Sequence, residues 1–120
     1  MALPEGLTQS AFSTLIGCRV ESVEDGVAHV ALSLEPQLRN RGGKMHGGVI
    51  FSLVDITMGL ACSGAHGFDR QSVTIECKIN YLRSVSDGDV LCIAKVIHPG
   101  RRTFVVEADV MQGDKLVAKA

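Results

Sequence analysis

One aspartate stands inside the most apolar stretch of the chain. Asp55 interrupts the segment GGVIFSLVDITMGLACSGA, which is apolar on nearly every face of a helix. An ionised carboxylate is rarely placed in such surroundings without a partner or a chemical task. Asp55 is therefore a candidate functional carboxylate. A carboxylate on a solvent-facing stripe, or one hydrogen-bonded by a neighbouring subunit, would give the same pattern.

His46, Gly47 and Gly48 precede this stretch at the place where the helix would begin. The first backbone N–H groups of a helix have no intrahelical partner and carry the positive end of its dipole. Because glycine has no side chain, a ligand can approach those groups closely. Such donors can stabilise an oxygen that becomes negative during acyl transfer. A glycine pair can equally serve only to let a loop turn into the helix.

The spacing of these two features predicts an oligomer. Gly47 and Asp55 are eight residues apart, which is roughly 12 Å along a helix axis at 1.5 Å per residue. A base or nucleophile must work within about 3–3.5 Å of the reacting atoms. One helix therefore cannot supply both groups to one acyl group. If they cooperate, Asp55 meets Gly47 of another subunit across a two-fold axis, which gives a dimer with two equivalent sites.

The first third of the chain changes its hydrophobic period. Residues 7–16 have helical spacing and end before Gly17, which predicts a short amphipathic helix. Its apolar positions are Leu7, Ala11 and Leu15. Residues 18–34 alternate with period two around Asp25 and Gly26, which predicts a hairpin of two antiparallel strands.

The rest of the chain predicts one long helix and a sheet. Residues 73–81 alternate strictly between apolar and polar, which is typical of a long strand with one wet face. The segments VLCIAKVI, TFVVEADVM and KLVAKA follow, separated by turn signals. The sum is an α+β layout in which a curved antiparallel sheet of about five to six strands wraps one long central helix. Because that helix is apolar on all sides, we expect a second copy of the chain to cover what one sheet cannot.

Composition excludes several classes of protein. The chain has 120 residues, 46% of them hydrophobic and 21% charged, which predicts a single domain over residues 1–120. Its formal net charge of -1 provides no basic stripe for nucleic acid. We see no signal peptide and no 18-residue apolar stretch, so we expect a cytoplasmic protein without a membrane partner.

The four cysteines and four histidines lack the spacing of a metal site. The cysteines contain no CxxC pair, and we expect them to be reduced and mostly buried. No metal is therefore expected.

Two longer strings resemble a known family. The string NRGGKMHGGVIFSLVDITMGLA resembles the signature of hotdog-fold acyl-CoA thioesterases of the phenylacetic-acid-degradation type. In that family an Asn, a His-Gly-Gly six residues later and a helical Asp recur at this spacing. The string SVTIECKINYLRSVSDGDVLCIAKVIHPGRR resembles the family's long central strand, its Tyr-Leu-Arg ending and its Gly-Arg turn. The resemblance extends from about residue 12 to the end of the chain.

The resemblance implies hydrolysis of an acyl- or aryl-CoA to a free acid and coenzyme A. No cofactor is implied, because coenzyme A is part of the substrate. Asp55 would be general base or nucleophile, and the partner subunit would provide the oxyanion donor through its own Gly47 N–H. Asn40 would position water, and Thr74 would hold water or orient Asp55. His46, although a histidine can exchange protons near neutral pH, would orient the loop and the donors.

Substrate contacts are predicted at the helix and at three arginines. The apolar helix residues would line the acyl pocket, although core packing explains them equally well. The arginines would meet the phosphates of coenzyme A, although each also suits a solvated surface. These candidate residues are Gly48, Phe51, Val54, Met58, Arg83, Arg101 and Arg102.

Two other functions compete with hydrolysis. A hotdog domain can bind or sense acyl-CoA without turnover, but the joint presence of Asn40, Gly47 and Asp55 argues against this alternative. A hotdog hydratase or dehydratase would use a His with a nearby carboxylate, and its characteristic motif is not evident. We expect a homodimer from the spacing of Gly47 and Asp55, and the pairing of dimers into a homotetramer is also expected.

Overall fold

A six-stranded sheet and one long helix make up most of the computed structural model, which describes residues 5–120. In chain order the elements are α1 (Glu5–Thr8), α2 (Ala11–Ile16), β1 (Arg19–Glu24), β2 (Val27–Ser33), α3 (Gly47–His66), β3 (Asn80–Tyr81), β4 (Asp89–Pro99), β5 (Phe104–Gln112) and β6 (Lys115–Lys119). A short 3-10 helix covers Pro36–Leu38. The strand order is β1-β2-β4-β5-β6-β3, and all pairings are antiparallel. The predicted α+β hotdog layout is confirmed.

The β1–β2 hairpin forms where the sequence predicts it. Asp25 and Gly26 both have positive φ, 52° and 74°, and Glu24 pairs with Val27. Two successive residues with positive φ match the twist of the flanking strands. The alternation of β2 then places Val30 and Leu32 fully in the core.

The helix α3 lies against the sheet with one face. Its buried residues are Ile50, Leu53, Val54, Thr57, Leu60, Ala61 and Cys62. Burying each Leu, Ile or Val side chain stabilises the fold by about 1.5–3 kcal/mol. As the apolar pattern predicts, one sheet does not bury this helix on all sides, and its cover by a second copy stays a prediction. Phe51 is exposed and Asp55 is half-buried, because the sheet covers only one side.

The same helix corrects the expectation that the chain has no 18-residue apolar stretch. A window inside Gly47–His66 has a mean hydropathy of 1.6 over 18 residues, enough by length and composition to span a membrane. In the fold, however, α3 is the core helix that the sheet wraps.

The N-terminal helix is not continuous as predicted. It is divided into α1 and α2, because Ser10 caps α2 by accepting the Ser13 N–H while the Ser13 hydroxyl accepts the Ser10 N–H. The face that is buried also differs from the prediction. Ser13 and Ile16 are buried, whereas Leu15 is 73% exposed.

The long strand predicted over residues 73–81 is mostly absent from the sheet. Only Asn80–Tyr81 pairs, with Lys119 and Ala118 of β6. Residues 73–79 form no ladder with any described residue, and their apolar side chains at Val73 and Ile75 are 87% and 82% exposed. The three later strands are confirmed as β4, β5 and β6.

All four cysteines are free thiols, and three of them, Cys18, Cys62 and Cys92, are buried as expected. Burial raises the pKa of Cys18 to about 11 and that of Cys92 to about 12. Both thiols therefore stay protonated at neutral pH.

Candidate active site

Asp55 and Thr74 meet in the structure although they are far apart in the chain. The Thr74 hydroxyl donates a hydrogen bond to Asp55 Oδ1 at 2.5 Å. Asp55 is half-buried and is the only carboxylate on α3, while Thr74 is exposed in the segment before β3. The bond leaves Asp55 Oδ2 without a hydrogen-bond donor among the described residues. One oxygen is thus oriented and the other is available to a reacting proton or carbon.

The first turn of α3 leaves one backbone donor unused. His46 is the N-cap, and its Nδ1 accepts the Gly48 N–H at 2.8 Å, so the neutral ring carries its proton on Nε2. The N–H groups of Val49 and Ile50 donate to the His46 carbonyl. The Gly47 N–H has no acceptor within residues 5–120. It is therefore the N–H of this turn that a ligand can use.

Tyr81 holds the Gly47 backbone from the edge of the sheet. Its hydroxyl donates to the Gly47 carbonyl at 2.8 Å, and its ring lies about 3.5 Å from where a Gly47 Cβ would be. The sequence analysis includes Tyr81 only as part of the Tyr-Leu-Arg ending and predicts no role for its side chain. Its contact with Gly47 joins positions 34 residues apart, which no local pattern predicts.

Asn40 organises the loop before α3. Its Oδ1 accepts the Lys44 N–H at 3.0 Å, its own N–H donates to the Lys44 carbonyl, and its carbonyl accepts the Gly43 N–H. Arg39 ties the same loop to the carbonyls of Gly43 and Ser86. The Asn40 side-chain NH₂ group has no acceptor among the described residues. It is therefore free to donate to a ligand or a water molecule.

A groove of about 910 Å³ lies beside Asp55. Asp55, Met58, Gly59, Cys62 and His66 of α3 line it, with residues 70–78, residues 100–106 and Ala120. Burial raises the pKa of Cys77 on its wall, and the negative charges of Asp55 and Glu76 raise it further.

The groove brings together only some of the predicted substrate contacts. Met58, Arg101 and Arg102 line it, and so does Arg70, which the sequence did not single out. Arg83 lies in a second depression with Leu82 and residues 114–116. Gly48 and Phe51 are exposed but do not line the groove, and they remain predictions. Val54 is fully buried, so the prediction that it lines a pocket is wrong.

The geometry separates the site into two halves on one helix. Gly47, which Tyr81 contacts, is at the start of α3, and Asp55, which Thr74 contacts, is two turns further along the helix.

Within residues 5–120 no three His, Cys, Asp or Glu side chains gather as a metal ion would require. The absence of a metal stays a prediction.

Comparisons with a family model and with known proteins both point to thioesterases. The model of the thioesterase superfamily matches residues 42–119. The PaaI acyl-coenzyme A thioesterase of Escherichia coli K12 is 33% identical over 110 residues, which cover 90% of this chain and 76% of that protein.

Solved structures agree with the sequence matches. A conserved protein from Pseudomonas aeruginosa superposes with a TM-score of 0.94 at 64% identity, covering 95% of this chain and 91% of that one. The Escherichia coli PaaI protein from the phenylacetic acid degradation operon superposes with a TM-score of 0.84 at 29% identity, covering 92% and 79%. Fold, sequence and structural neighbours agree, and the chain belongs to the thioesterase superfamily with the hotdog fold.

Proposed function

We propose that the protein hydrolyses an acyl- or aryl-CoA thioester to a free acid and coenzyme A, with Asp55 as the catalytic carboxylate. The observation that carries the proposal is the half-buried Asp55, which lines an open groove and accepts a hydrogen bond from Thr74 through one carboxylate oxygen. Family membership and the PaaI relative support the reaction class.

In the favoured route Asp55 acts as a general base. It takes a proton from water as the water oxygen attacks the thioester carbon. The carbonyl oxygen becomes an oxyanion, the C–S bond breaks as the tetrahedral intermediate collapses, and Asp55 returns the proton to the leaving thiolate. A positioned base of this kind contributes roughly 10²–10⁴ in rate.

A second route uses the same carboxylate as a nucleophile. Asp55 attacks the thioester carbon, coenzyme A leaves as the thiolate, and water then hydrolyses the mixed anhydride to regenerate Asp55. Both routes need an ionised carboxylate at the same place. Trapping the anhydride, or incorporation of ¹⁸O from water into Asp55, distinguishes the second route from the first.

The oxyanion donor in this proposal is the Gly47 N–H of a partner subunit. The Gly47 N–H has no acceptor among residues 5–120 of its own chain, and it lies about 12 Å along the helix from its own Asp55. Two α3 helices that run antiparallel across a two-fold axis would bring each Gly47 to the other chain's Asp55. One oriented N–H contributes roughly 10²–10³ in rate.

The remaining residues position the reacting groups. His46 accepts the Gly48 N–H through Nδ1, which supports a role in shaping the first helical turn rather than in accepting a substrate proton. The free NH₂ group of Asn40 suits a donor that holds the attacking water. Arg101 and Arg102, together with Arg70, give the groove cations for the phosphates of coenzyme A.

Release of free thiol from a panel of fatty and aryl acyl-CoAs tests this function. We expect turnover by the unmutated protein, and a loss of roughly 10²–10⁴ in kcat for Asp55→Asn. Circular dichroism shows whether that variant is folded. Binding of acyl-CoA by the unmutated protein without turnover would instead identify a sensor. A folded Asp55→Asn protein with near-normal kcat would exclude the mechanism.

A further inference from the structure

The Gly47–Gly48 peptide is held at both of its polar groups by side chains. Its C=O, which belongs to Gly47, accepts the Tyr81 hydroxyl at 2.8 Å. Its N–H, which belongs to Gly48, donates to His46 Nδ1 at 2.8 Å. Tyr81 lies on β3 and His46 is the N-cap of α3. Two separate elements therefore fix one peptide beside the unused Gly47 N–H.

Two successive glycines give the first turn of α3 few steric limits of its own. Gly47 and Gly48 are the first two residues of the helix. Glycine adopts a wider range of backbone conformations than any other residue and loses more conformational entropy when it is ordered. The missing side chains let a ligand approach the Gly47 N–H. They also mean that contacts with other residues must set the direction of that N–H.

The backbone of Tyr81 is fixed by the sheet. Tyr81 lies opposite Ala118 of β6 in the short β3–β6 ladder. The N–H groups of the next two residues both donate to the Val117 carbonyl. The Tyr81 hydroxyl therefore extends from a firmly paired part of the chain, so it can hold the start of α3 in place relative to the sheet.

The ring and the hydroxyl of Tyr81 make separate contacts with Gly47. The ring lies about 3.5 Å from where a Gly47 Cβ would be, and the hydroxyl donates to the carbonyl. Burial raises the pKa of Tyr81, and the charge of Cys77 raises it further. The phenol therefore keeps its proton at neutral pH and remains a donor. Replacing Tyr81 with Phe would remove the hydrogen bond and keep the ring.

The direction of the Gly47 N–H depends on the peptides on both sides of the Gly47 Cα. The His46–Gly47 peptide, which includes this N–H, accepts two N–H groups of the first helical turn at its C=O. The Gly47–Gly48 peptide is the one that Tyr81 holds. An oxyanion donor is effective because it is aimed before charge develops. A displacement of about 1 Å can reduce a rate by up to about 10².

We propose that Tyr81 is a positioning residue for thioester hydrolysis, which orients the Gly47 N–H by holding the Gly47–Gly48 peptide through its hydroxyl. It acts through Gly47 and not on the thioester directly, and the inference rests on the proposed function. In a composite dimer site, Tyr81 serves the site that contains its own Gly47 and the other chain's Asp55. Thr74 serves the site that contains its own Asp55.

Double-mutant cycles on thiol release from one acyl-CoA test this role. We expect Tyr81→Phe to lower kcat by roughly two- to tenfold with little change in KM, which is the effect of one neutral hydrogen bond. In a Gly47→Pro background there is no donor to orient, so the same substitution should cause no further loss. In a Thr74→Val background, which affects the Asp55 half of the site, the loss should recur in full.

Ser52→Ala is the matched control. Its hydroxyl donates to the Gly48 carbonyl at 2.8 Å, so it makes the same kind of bond in the same turn but to the next peptide. We expect this variant to keep the wild-type kcat, and thermal unfolding shows that each protein is folded.

Three kinetic results would overturn the role of Tyr81. These are a wild-type kcat in Tyr81→Phe, an equal loss with and without Gly47→Pro, and an equal loss in Ser52→Ala. Each would leave hydrolysis by the unmutated protein intact. An unmutated protein that releases no thiol would refute the proposed function itself, and with it this role for Tyr81.

Discussion

At the scale of single residues, the Asp55–Thr74 hydrogen bond is the contact that most directly affects the proposed chemistry. Thr74 donates to one carboxylate oxygen and leaves the other free. A hydrogen bond to a charged group is worth about 1.5–3 kcal/mol. Losing it would let the Asp55 side chain rotate away from the reacting atoms.

We expect Thr74→Val to lower kcat by roughly ten- to a hundredfold with little change in KM, because valine keeps the shape and removes the donor. Thr74→Ser keeps the hydroxyl and is the matched control. Steady-state kinetics on one good acyl-CoA substrate measures both variants. If Val and Ser variants lose activity equally, the hydroxyl has no role in orienting Asp55.

A substitution at Gly47 can remove the proposed oxyanion donor, which is the backbone N–H of this residue, without disrupting α3. Gly47 is the first residue of α3, where proline is well tolerated because its N–H would be unpaired anyway. The preceding residue, His46, has ψ 138°, which suits a residue before proline.

We expect Gly47→Pro to lower kcat by roughly 10²–10³, because it deletes the oxyanion donor. Gly47→Ala keeps the N–H and adds a Cβ at an ordinary 3.5 Å from the Tyr81 ring, so its loss should be much smaller. Kinetics and thermal unfolding of the two proteins separate catalysis from stability. Equal losses in folded Pro and Ala variants would mean that the N–H is not used.

At the scale of elements, α3 contains two interior glycines in different surroundings. Gly59 faces open space, whereas a Cβ on Gly64 would lie 2.7 Å from Val23 Cγ1 on β1. Gly64 therefore lets the helix approach the first strand closely. Among residues 5–120, no such packing contact explains the absence of a side chain at Gly59.

We expect Gly59→Ala to raise the free energy of unfolding by about 0.5–1 kcal/mol, since alanine is the better helix former. Gly64→Ala has the same helical gain but must displace Val23, and overpacking costs about 1–3 kcal/mol. Urea denaturation of both variants measures the difference. Destabilisation by Gly59→Ala would show that another chain or segment packs over this position.

The elements also show why pattern alone predicted part of the sheet. The hairpin at Asp25-Gly26 was predicted correctly because its backbone requirement is local. Alternation over residues 73–81 predicts a long strand, but a strand needs a neighbour to pair with, and only Asn80–Tyr81 has one in the described chain. The break between α1 and α2 follows from the Ser10–Ser13 capping box, a local signal that helical spacing obscured.

The sequence predicts those residues of the candidate site that neighbouring residues in the chain reveal. An aspartate in an apolar helix and glycines at a helix start can be recognised from neighbouring residues. The contacts of Tyr81 with Gly47, and the position of Arg70 on the groove, depend on the folded chain. Arg83 was singled out for its charge and its strand end, but the sheet places it in a different depression.

At the scale of the whole molecule, the proposed function requires an assembly, because Gly47 and Asp55 are too far apart on one helix to act on one thioester. The face of α3 away from the sheet is open, with Phe51 exposed and Asp55 half-buried. Exposed apolar surface of this kind is typical of an interface between subunits. If two copies meet there, each active site is composed of Gly47 from one chain and Asp55 from the other.

Mixing two inactive variants tests this arrangement. In a dimer of one Asp55→Asn chain and one Gly47→Pro chain, both defects fall in one composite site and the other site is intact. Equal amounts of the two chains, unfolded and refolded together, should therefore recover about a quarter of the wild-type kcat, since half the dimers are mixed and each has one working site of two. Each variant refolded alone is the control. A mixture no more active than its components would show that Gly47 and Asp55 do not act on the same thioester from different chains, because complementation requires that arrangement.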